Sequence, residues 1–270
     1  MERAPLKKLL KTPAINILGL GRVYPTALTT RDAILPLIES LHPLDPGVPL
    51  IRMGPPGDGG YLVPDDLAGV EACFSPGVSL ISGFEKDCAN LGMKVFMADR
   101  SVERPADSHE LFHFTRKYVG ATTSEDFMTV DNWVAACLPG SRGDLILQID
   151  IEGFEYETFL SMSDALMSRF RIIVAEFHDL DQLWNRPFFH IASSTFQKIL
   201  QTHTCVHIHP NNNRPLQNTG GLSIPPQAEF TFLRKDRMRS SSFATVFPHP
   251  LDGDNTANPH YALPDCWHGK

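Results

Sequence analysis

Asp144-Leu-Ile-Leu-Gln-Ile-Asp-Ile-Glu-Gly-Phe-Glu155 is the stretch that decides the fold. Its apolar run, Leu145–Ile149, is short and ends at Asp150 and Glu152, after which Gly153 interrupts the pattern. Apolar runs of this length between turn residues are typical of buried strands in a parallel sheet. Open α/β sheets bind their ligands at the carboxyl ends of such strands. We therefore expect the two acids to serve a ligand, a metal or a proton, unless they are solvated loop residues.

Helical and strand patterns alternate along most of the chain. Apolar residues at helical spacing predict helices, and short apolar runs between turn residues predict strands. This alternation favours an α/β fold with a doubly wound, Rossmann-like sheet. The predicted helices cover residues 31–41, 83–91, 126–138, 156–167 and 193–201, and the predicted strands cover residues 70–76, 94–98, 145–149, 171–177, 205–208 and 229–233.

The pattern also predicts three parts along the chain. Residues 1–53 form an N-terminal helical extension, residues 54–237 form the Rossmann-like domain, and residues 238–270 form a Pro-rich tail that we expect to pack on the domain in extended form. A chain of 270 residues is long enough for one large α/β domain with such additions.

Composition excludes several classes of protein. With 42% hydrophobic and 20% charged residues, the chain resembles a soluble globular protein. A formal charge of −7 argues against a general nucleic-acid or anionic-membrane binder. The five cysteines are scattered, odd in number and never spaced as CxxC, so we expect no disulfide framework and a cytoplasmic location. No segment approaches the ~20 apolar residues that a membrane span requires.

A nucleotide-type pocket is predicted at the carboxyl ends of the two strands in the first strand–helix–strand unit. The loop Ser75-Pro-Gly-Val-Ser79 follows the first strand, and its small residues let the backbone approach a ligand closely. Asp99 follows the second strand, where such units place the acid that binds a ribose. The GxGxxG fingerprint of dinucleotide sites is absent. An ordinary strand–helix turn with a solvated Asp99 remains the alternative.

Several segments together resemble the FkbM-type methyltransferases. The order and spacing of these segments agree from about Gly54 to Leu233. The resemblance implies a class I methyltransferase sheet that binds S-adenosylmethionine. The matching segments are Asp58-Gly-Gly-Tyr-Leu-Val63, Ser75-Pro-Gly-Val-Ser79 with Phe84-Glu85, Asp99, Thr129-Val-Asp-Asn-Trp133 and Ile149-Asp-Ile-Glu-Gly-Phe-Glu155.

The same resemblance implies roles for individual residues in cofactor binding. Gly77 would lie under the methionine part of the donor, Glu85 would face that loop from the helix start, and Asp99 would hold the ribose hydroxyls. Asp58 and Tyr61 would close over the cofactor, although Tyr61 could equally be a packed, half-buried aromatic. Adenine is expected near residues 122–126.

A second group of polar residues follows three other predicted strands and is expected to converge at the same sheet edge. Asp150, His178 and His209 are the candidate catalytic residues, because a neutral histidine suits the removal of an acceptor proton. Asp150, Glu176 and His178 are the candidate ligands of Mg²⁺ or another divalent cation. Alternatively, Asp150 could cap the following helix together with Glu152. Glu155 and Glu157 are expected to be solvated helix residues.

These observations predict an S-adenosylmethionine-dependent methyltransferase that acts on a hydroxyl oxygen. The acidic chain without a basic stripe favours a small-molecule or saccharide-like acceptor over nucleic acid. Two alternatives stay open: a metal-dependent hydrolase that uses the strand-end Asp, Glu and His residues, and a non-catalytic binding protein with a cofactor fold. A homo-oligomer is compatible with each of these three functions.

Overall fold

The computed structural model of the chain describes residues 25–78 and 81–269. Residues 1–24 of the predicted N-terminal extension, and Ser79 of the predicted cofactor loop, lie outside these residues. In chain order the elements are α1 (Arg31–Ser40), β1 (Leu50–Met53), β2 (Tyr61–Pro64), β3 (Ala72–Pro76), α2 (Gly83–Asn90), β4 (Lys94–Ala98), β5 (Phe112–Thr115), β6 (Tyr118–Val119), β7 (Phe127–Met128), α3 (Val130–Cys137), β8 (Leu145–Ile149), α4 (Glu155–Ser161), α5 (Asp164–Met167), β9 (Phe170–Phe177), α6 (Arg186–Thr202), β10 (His203–Pro210), β11 (Gln217–Thr219), β12 (Leu222–Ile224) and β13 (Ala228–Arg234).

Seven of the strands form one central sheet in the order β10-β13-β9-β8-β3-β4-β5. Strand β13 runs antiparallel to both of its neighbours, and the other neighbouring pairs are parallel. The chain winds outward from β3 to β5, returns to β8 and winds the other way, so its direction reverses between β3 and β8. Ligands of doubly wound sheets bind at such a reversal point. The predicted doubly wound, Rossmann-like α/β fold is therefore confirmed.

Apolar side chains cover both faces of this sheet, which is why its central strands are buried along their whole length. On one face Phe74 of β3 belongs to a cluster with Trp133 of α3 and residues of α1, α4 and α6. On the other face Cys73 belongs to a cluster with Phe84 of α2 and residues of the β1–β2 hairpin. Adjacent residues of β3 thus face opposite sides, as strand geometry requires.

Several element boundaries differ from the sequence prediction, and the helix predicted over 193–201 begins seven residues earlier, at Arg186. The helix predicted over 156–167 is two helices, because Met162 is extended and the Ser163 hydroxyl caps the N-terminus of α5 by accepting from the Leu166 N–H. The prolines and glycines of residues 43–60 predict a loop, but Leu50–Met53 forms strand β1 and pairs with β2 in a hairpin. The predicted boundary between residues 53 and 54 falls inside this hairpin, in which Met53 pairs with Tyr61.

The chain after β13 forms only short 3₁₀ turns among its described residues, at Lys235–Arg237 and Asp265–Trp267. Phe243 makes a β-bridge with Leu44, and the buried Trp267 donates from its indole Nε1 to the Ser223 carbonyl over 3.0 Å. The tail is thereby attached to the body of the protein. Within residues 25–78 and 81–269, no helix combines the length and apolar character that crossing a bilayer requires.

Candidate cofactor pocket and strand-end cluster

A cavity of about 580 Å³ opens at the carboxyl ends of β3, β4 and β8. Its position coincides with the reversal point of the sheet, and its volume is within the range of small-molecule sites. Three residues predicted from the sequence line it, namely Gly77, Asp99 and Asp150. The complete lining is Gly77, Val78, Ala98, Asp99, Ser101, Tyr118, Val119, Phe127, Asp150, Ile151, Glu152 and Phe154.

Gly77 lies where the loops after β3 and β8 touch each other. Its φ of +92° belongs to the left-handed region, and a Cβ atom built on it would be 1.6 Å from the Asp150 carbonyl oxygen. The Gly77 N–H donates to the Ala98 carbonyl over 3.0 Å, which ties this turn to the end of β4. Only glycine fits this position, so the floor of the cavity is bare backbone that a ligand can approach closely.

Asp99 follows β4 and links the loop after β3 to the loop after β4 beside the cavity. Its Oδ2 accepts from the Val78 N–H over 3.1 Å, and its Oδ1 accepts from both the N–H and the hydroxyl of Ser101 over 2.6 Å. These bonds hold the carboxylate in one orientation at the half-buried edge of the cavity. A carboxylate has about four acceptor positions and Asp99 uses three of them, so about one remains for a further donor such as a ribose hydroxyl.

Aromatic side chains that the sequence prediction missed form one wall of the cavity. The rings of Tyr118 and Phe127 are 5.3 Å apart, and those of Phe127 and Phe154 are 6.1 Å apart. Tyr118 and Phe154 remain 40% and 45% exposed, so their ring surfaces are available to a ligand. The predicted adenine region, residues 122–126, ends directly before Phe127.

His178 lies at the centre of a cluster of carboxylates beside this cavity. Its imidazole Nε2 is 3.4 Å from Glu152 Oε2, 3.8 Å from Asp150 Oδ1 and 3.9 Å from Glu176 Oε1. The other ring nitrogen, Nδ1, is 3.3 Å from Glu155 Oε1. Asp150 follows β8 and His178 follows the neighbouring β9, so the parallel pairing of these two strands brings the residues together.

The cluster shifts the pKa values of its members. Burial raises the pKa of Asp150 to about 7, although the charge of His178 opposes this change. Burial alone would lower the pKa of His178, but Glu155, Glu176 and Asp150 together raise it to about 9. Burial and the neighbouring Asp150 raise the pKa of Glu176 well above its ordinary value.

Glu155 supports the turn that carries this cluster, and its expected role as a solvated helix residue is wrong. Its side chain is fully buried, and Oε1 accepts from the Ile151 N–H over 2.9 Å and from the Gly153 N–H over 3.2 Å. Glu152 lies in this turn with a φ of +56°, and Asp179 is the other non-glycine residue with positive φ in the described part of the chain. The backbone strain at Glu152 is on the order of 1–3 kcal/mol.

Two other residues predicted to bind the cofactor form a buried network behind the cavity. The Ser75 hydroxyl lies 2.5 Å from Glu85 Oε1 and 2.6 Å from Gln148 Oε1, and the Gln148 amide donates to the Tyr61 hydroxyl over 3.3 Å. Burial raises the pKa of Glu85. Glu85 and Tyr61 are not among the residues that line the cavity. The third, Asp58, is exposed in the loop between β1 and β2 and accepts from the Asn255 amide over 3.4 Å.

His209 lies in a different cluster from His178. Its Nδ1 is 3.6 Å from Asp252 Oδ2, and Asp252 also accepts from His207 Nε2 over 2.8 Å. Strands β13 and β9 separate β10 from β8, so His209 is roughly 14 Å from Asp150 at the usual strand spacing. Among the described residues, the predicted convergence is therefore observed for Asp150, Glu176 and His178, and a catalytic role for His209 stays a prediction.

Comparison with known proteins gives no family assignment. No protein-family model and no curated protein matches the sequence. One solved structure that the chain resembles is a provisionally assigned methyltransferase from an antibiotic biosynthesis pathway of Anabaena variabilis ATCC 29413, at 15% identity and a TM-score of 0.30. The match covers 52% of this chain and 60% of that protein. A likeness at this level assigns neither a fold nor an activity.

Proposed function

We propose that the protein is an S-adenosylmethionine-dependent methyltransferase that methylates a hydroxyl oxygen. One observation carries the proposal: the cavity at the reversal point of the sheet has Gly77 as its floor and Asp99 at its edge. A bare-backbone turn after the first strand and an acid after the second are the two elements that Rossmann-like sheets use to hold a nucleoside. The sequence resemblance to FkbM-type methyltransferases agrees with this proposal.

The residues of the cavity suit each part of the donor molecule. Asp99 would accept a hydrogen bond from a ribose hydroxyl, since the bonds from Val78 and Ser101 hold its carboxylate in place and leave about one acceptor position open. The space above Gly77 would hold the methionine part, because glycine has no side chain to fill it and no larger residue fits at this position. The exposed rings of Tyr118 and Phe154 offer a stacking surface for adenine. When bound, S-adenosylmethionine supplies a methyl group on a sulfonium that leaves readily.

Asp150 and His178 would serve the acceptor on the other side of the cavity. Asp150 lines the cavity and faces His178, so an acceptor hydroxyl placed here meets a carboxylate and an imidazole that can orient it and share its proton. A chain with a net charge of −7 is suited to a small-molecule or saccharide-like acceptor rather than to nucleic acid. The divalent cation of the Mg²⁺ type that the sequence predicts belongs to the same proposal.

A methyl-transfer screen tests the proposed function directly. The purified protein is incubated with S-adenosylmethionine and a panel of monosaccharides, catechols and hydroxy acids, and the release of S-adenosylhomocysteine is measured together with the mass of each acceptor. We expect acceptor-dependent release and a product carrying one extra methyl group on oxygen. Asp99→Asn should reduce this release, whereas Asp107→Asn, an exposed acid outside the cavity, should leave it unchanged.

The outcomes of the screen separate the alternatives. Binding of S-adenosylhomocysteine without methyl transfer to any acceptor would favour the non-catalytic binding protein. Absence of both binding and transfer would remove the methyltransferase proposal.

A further inference from the structure

Three side chains of the strand-end cluster have the arrangement of metal ligands. One ligand atom each from Asp150, Glu152 and His178 lies within 4.8 Å of the other two. Ligands of one Mg²⁺ or Mn²⁺ ion lie roughly 2.1 Å from it, so two of them are at most about 4.2 Å apart. The distances of 3.8 Å and 3.4 Å from His178 Nε2 to the Asp150 and Glu152 oxygens fall within this limit.

One buried polar atom without a hydrogen bond borders the same space. The His178 side chain is only 9% exposed, with Nδ1 facing Glu155 Oε1 at 3.3 Å and Nε2 facing the carboxylates of Asp150 and Glu152. Asp150 Oδ1 is buried and accepts no hydrogen bond from the described residues. Because buried polar atoms nearly always have partners, the unpaired Asp150 Oδ1, 3.8 Å from His178 Nε2, indicates a missing ligand between the two side chains.

The cluster holds more carboxylates than positively charged side chains. Four carboxylates lie within 4 Å of the single imidazole of His178. They belong to Asp150, Glu152, Glu155 and Glu176, and no Lys or Arg of the described chain forms an ion pair with any of them. Carboxylates held this close repel one another in a partly buried site. A divalent cation would compensate the excess negative charge.

Two carboxylates of the cluster already have other roles. The buried Glu155 faces His178 Nδ1 and accepts from the backbone of the turn, which leaves Nε2 directed at Asp150 and Glu152. A carboxylate behind a histidine in this way orients the ring of a metal ligand. Glu176 instead accepts from the Asn211 amide over 2.8 Å. The ligand set suggested by the geometry therefore contains Glu152 where the sequence predicts Glu176.

We propose that Asp150, Glu152 and the Nε2 atom of His178 bind one divalent cation of the Mg²⁺ or Mn²⁺ type, with Glu155 as the positioning residue behind His178. Two carboxylate oxygens are ligands that both cations prefer, and the imidazole nitrogen is a ligand that a first-row transition ion such as Mn²⁺ accepts more readily than Mg²⁺. Asp150 and Glu152 also line the cofactor cavity, so the remaining coordination positions open toward it. The inference rests on the proposed function and refines it: a cation on Asp150 and His178 would bind the acceptor oxygen and lower its pKa, in place of direct proton sharing by the imidazole. The metal site itself does not depend on the methyl donor.

Binding of Mn²⁺ alone to the full chain tests the inference, with electron paramagnetic resonance and calorimetry as readouts. We expect one site in the wild type and at least tenfold weaker binding in Glu152→Gln. Because the Glu152 side chain is 86% exposed, this variant should fold normally. Glu157→Gln is the matched control, since Glu157 is an exposed acid on α4 outside the cluster and its loss should leave binding unchanged. Excess Mg²⁺ should displace Mn²⁺ from the wild type.

Two results would overturn the inference: no Mn²⁺ binding by the wild type, or equal binding by the wild type and Glu152→Gln. Glu155→Gln supplies a second measure, since a positioning role predicts 10–100-fold weaker Mn²⁺ binding with the ligands intact. Calorimetry with S-adenosylhomocysteine on the same samples separates this inference from the proposed function. Nucleoside binding without Mn²⁺ binding would reject the metal site alone, and Mn²⁺ binding without nucleoside binding would reject the methyltransferase alone.

Discussion

Gly77→Ala should disrupt the cavity floor by two separable effects. The φ of +92° imposes a left-handed conformation on alanine, which costs roughly 1–2 kcal/mol. The new Cβ would also start 1.6 Å from the Asp150 carbonyl oxygen, so the two loops must separate by about 1.4 Å to reach the shortest contact that real Cβ atoms show, 3.0 Å. Displacements of about 1 Å in active sites cost on the order of 100-fold in reaction rate. We therefore expect Gly77→Ala to slow methyl transfer by about 100-fold and to bind S-adenosylhomocysteine more weakly than the wild type.

Gly92→Ala is the matched control for this substitution. Gly92 has a similar φ of +85° at the end of α2, but no atom of the described residues lies within 4 Å of the point that its new Cβ would occupy. It should lose only the roughly 1–2 kcal/mol of backbone strain and keep full ligand affinity. Calorimetry gives the affinities and urea unfolding gives the stabilities. Wild-type affinity in Gly77→Ala, or stability no lower than that of Gly92→Ala, would refute the close-approach argument.

Three further substitutions test the aromatic wall of the cavity, the hydrogen bonds of Arg171 and the titration of the buried His203. Phe154→Ala should weaken S-adenosylhomocysteine binding by about 1–2 kcal/mol through lost stacking, whereas Leu160→Ala, also exposed but outside the cavity, should not, as calorimetry would show. Arg171→Lys should lower the free energy of urea unfolding by about 2–4 kcal/mol, because lysine cannot reproduce the bonds to Asp144 and to two backbone carbonyls. Burial lowers the pKa of His203 from 6.5 to about 4. Between pH 6.5 and pH 4 this histidine is therefore protonated in the unfolded chain but not in the folded protein. As pH falls over this range, the free energy of unfolding of the wild type should decrease by about 3 kcal/mol more than that of His203→Gln. If urea unfolding gives the same pH dependence for both proteins, the expectation is wrong.

The sheet and its reversal point could be predicted because their sequence signals are local. Strand β8 matches its predicted range, since a central strand covered on both faces requires a nearly continuous apolar run, which here only Gln148 interrupts. The acids at positions 99 and 150 follow strands, and parallel pairing of β4, β3 and β8 then brings both to one cavity. The sequence alone therefore predicts the edge of the sheet at which the candidate site lies.

The remaining parts of the site depend on contacts that no local pattern encodes. Tyr118 and Phe127 belong to two-residue strands, β6 and β7, which are too short to show periodicity. Glu155 begins a helix, where acids are usually solvated, and only the packing of the turn after β8 buries it. His209 follows the same strand-end rule as His178, but the insertion of β13 into the sheet separates the two clusters.

The central claim is that Asp99 and the Gly77 turn hold an adenosyl group at the reversal point of the sheet. Calorimetry with S-adenosylhomocysteine on the wild type, Asp99→Asn and Asp107→Asn tests it most directly, with melting temperatures to verify folding. A hydrogen bond to a charged group contributes about 1.5–3 kcal/mol, so Asp99→Asn should bind at least tenfold more weakly, and Asp107→Asn should match the wild type. Undetectable binding by the wild type, or equal binding by wild type and Asp99→Asn, would contradict the claim.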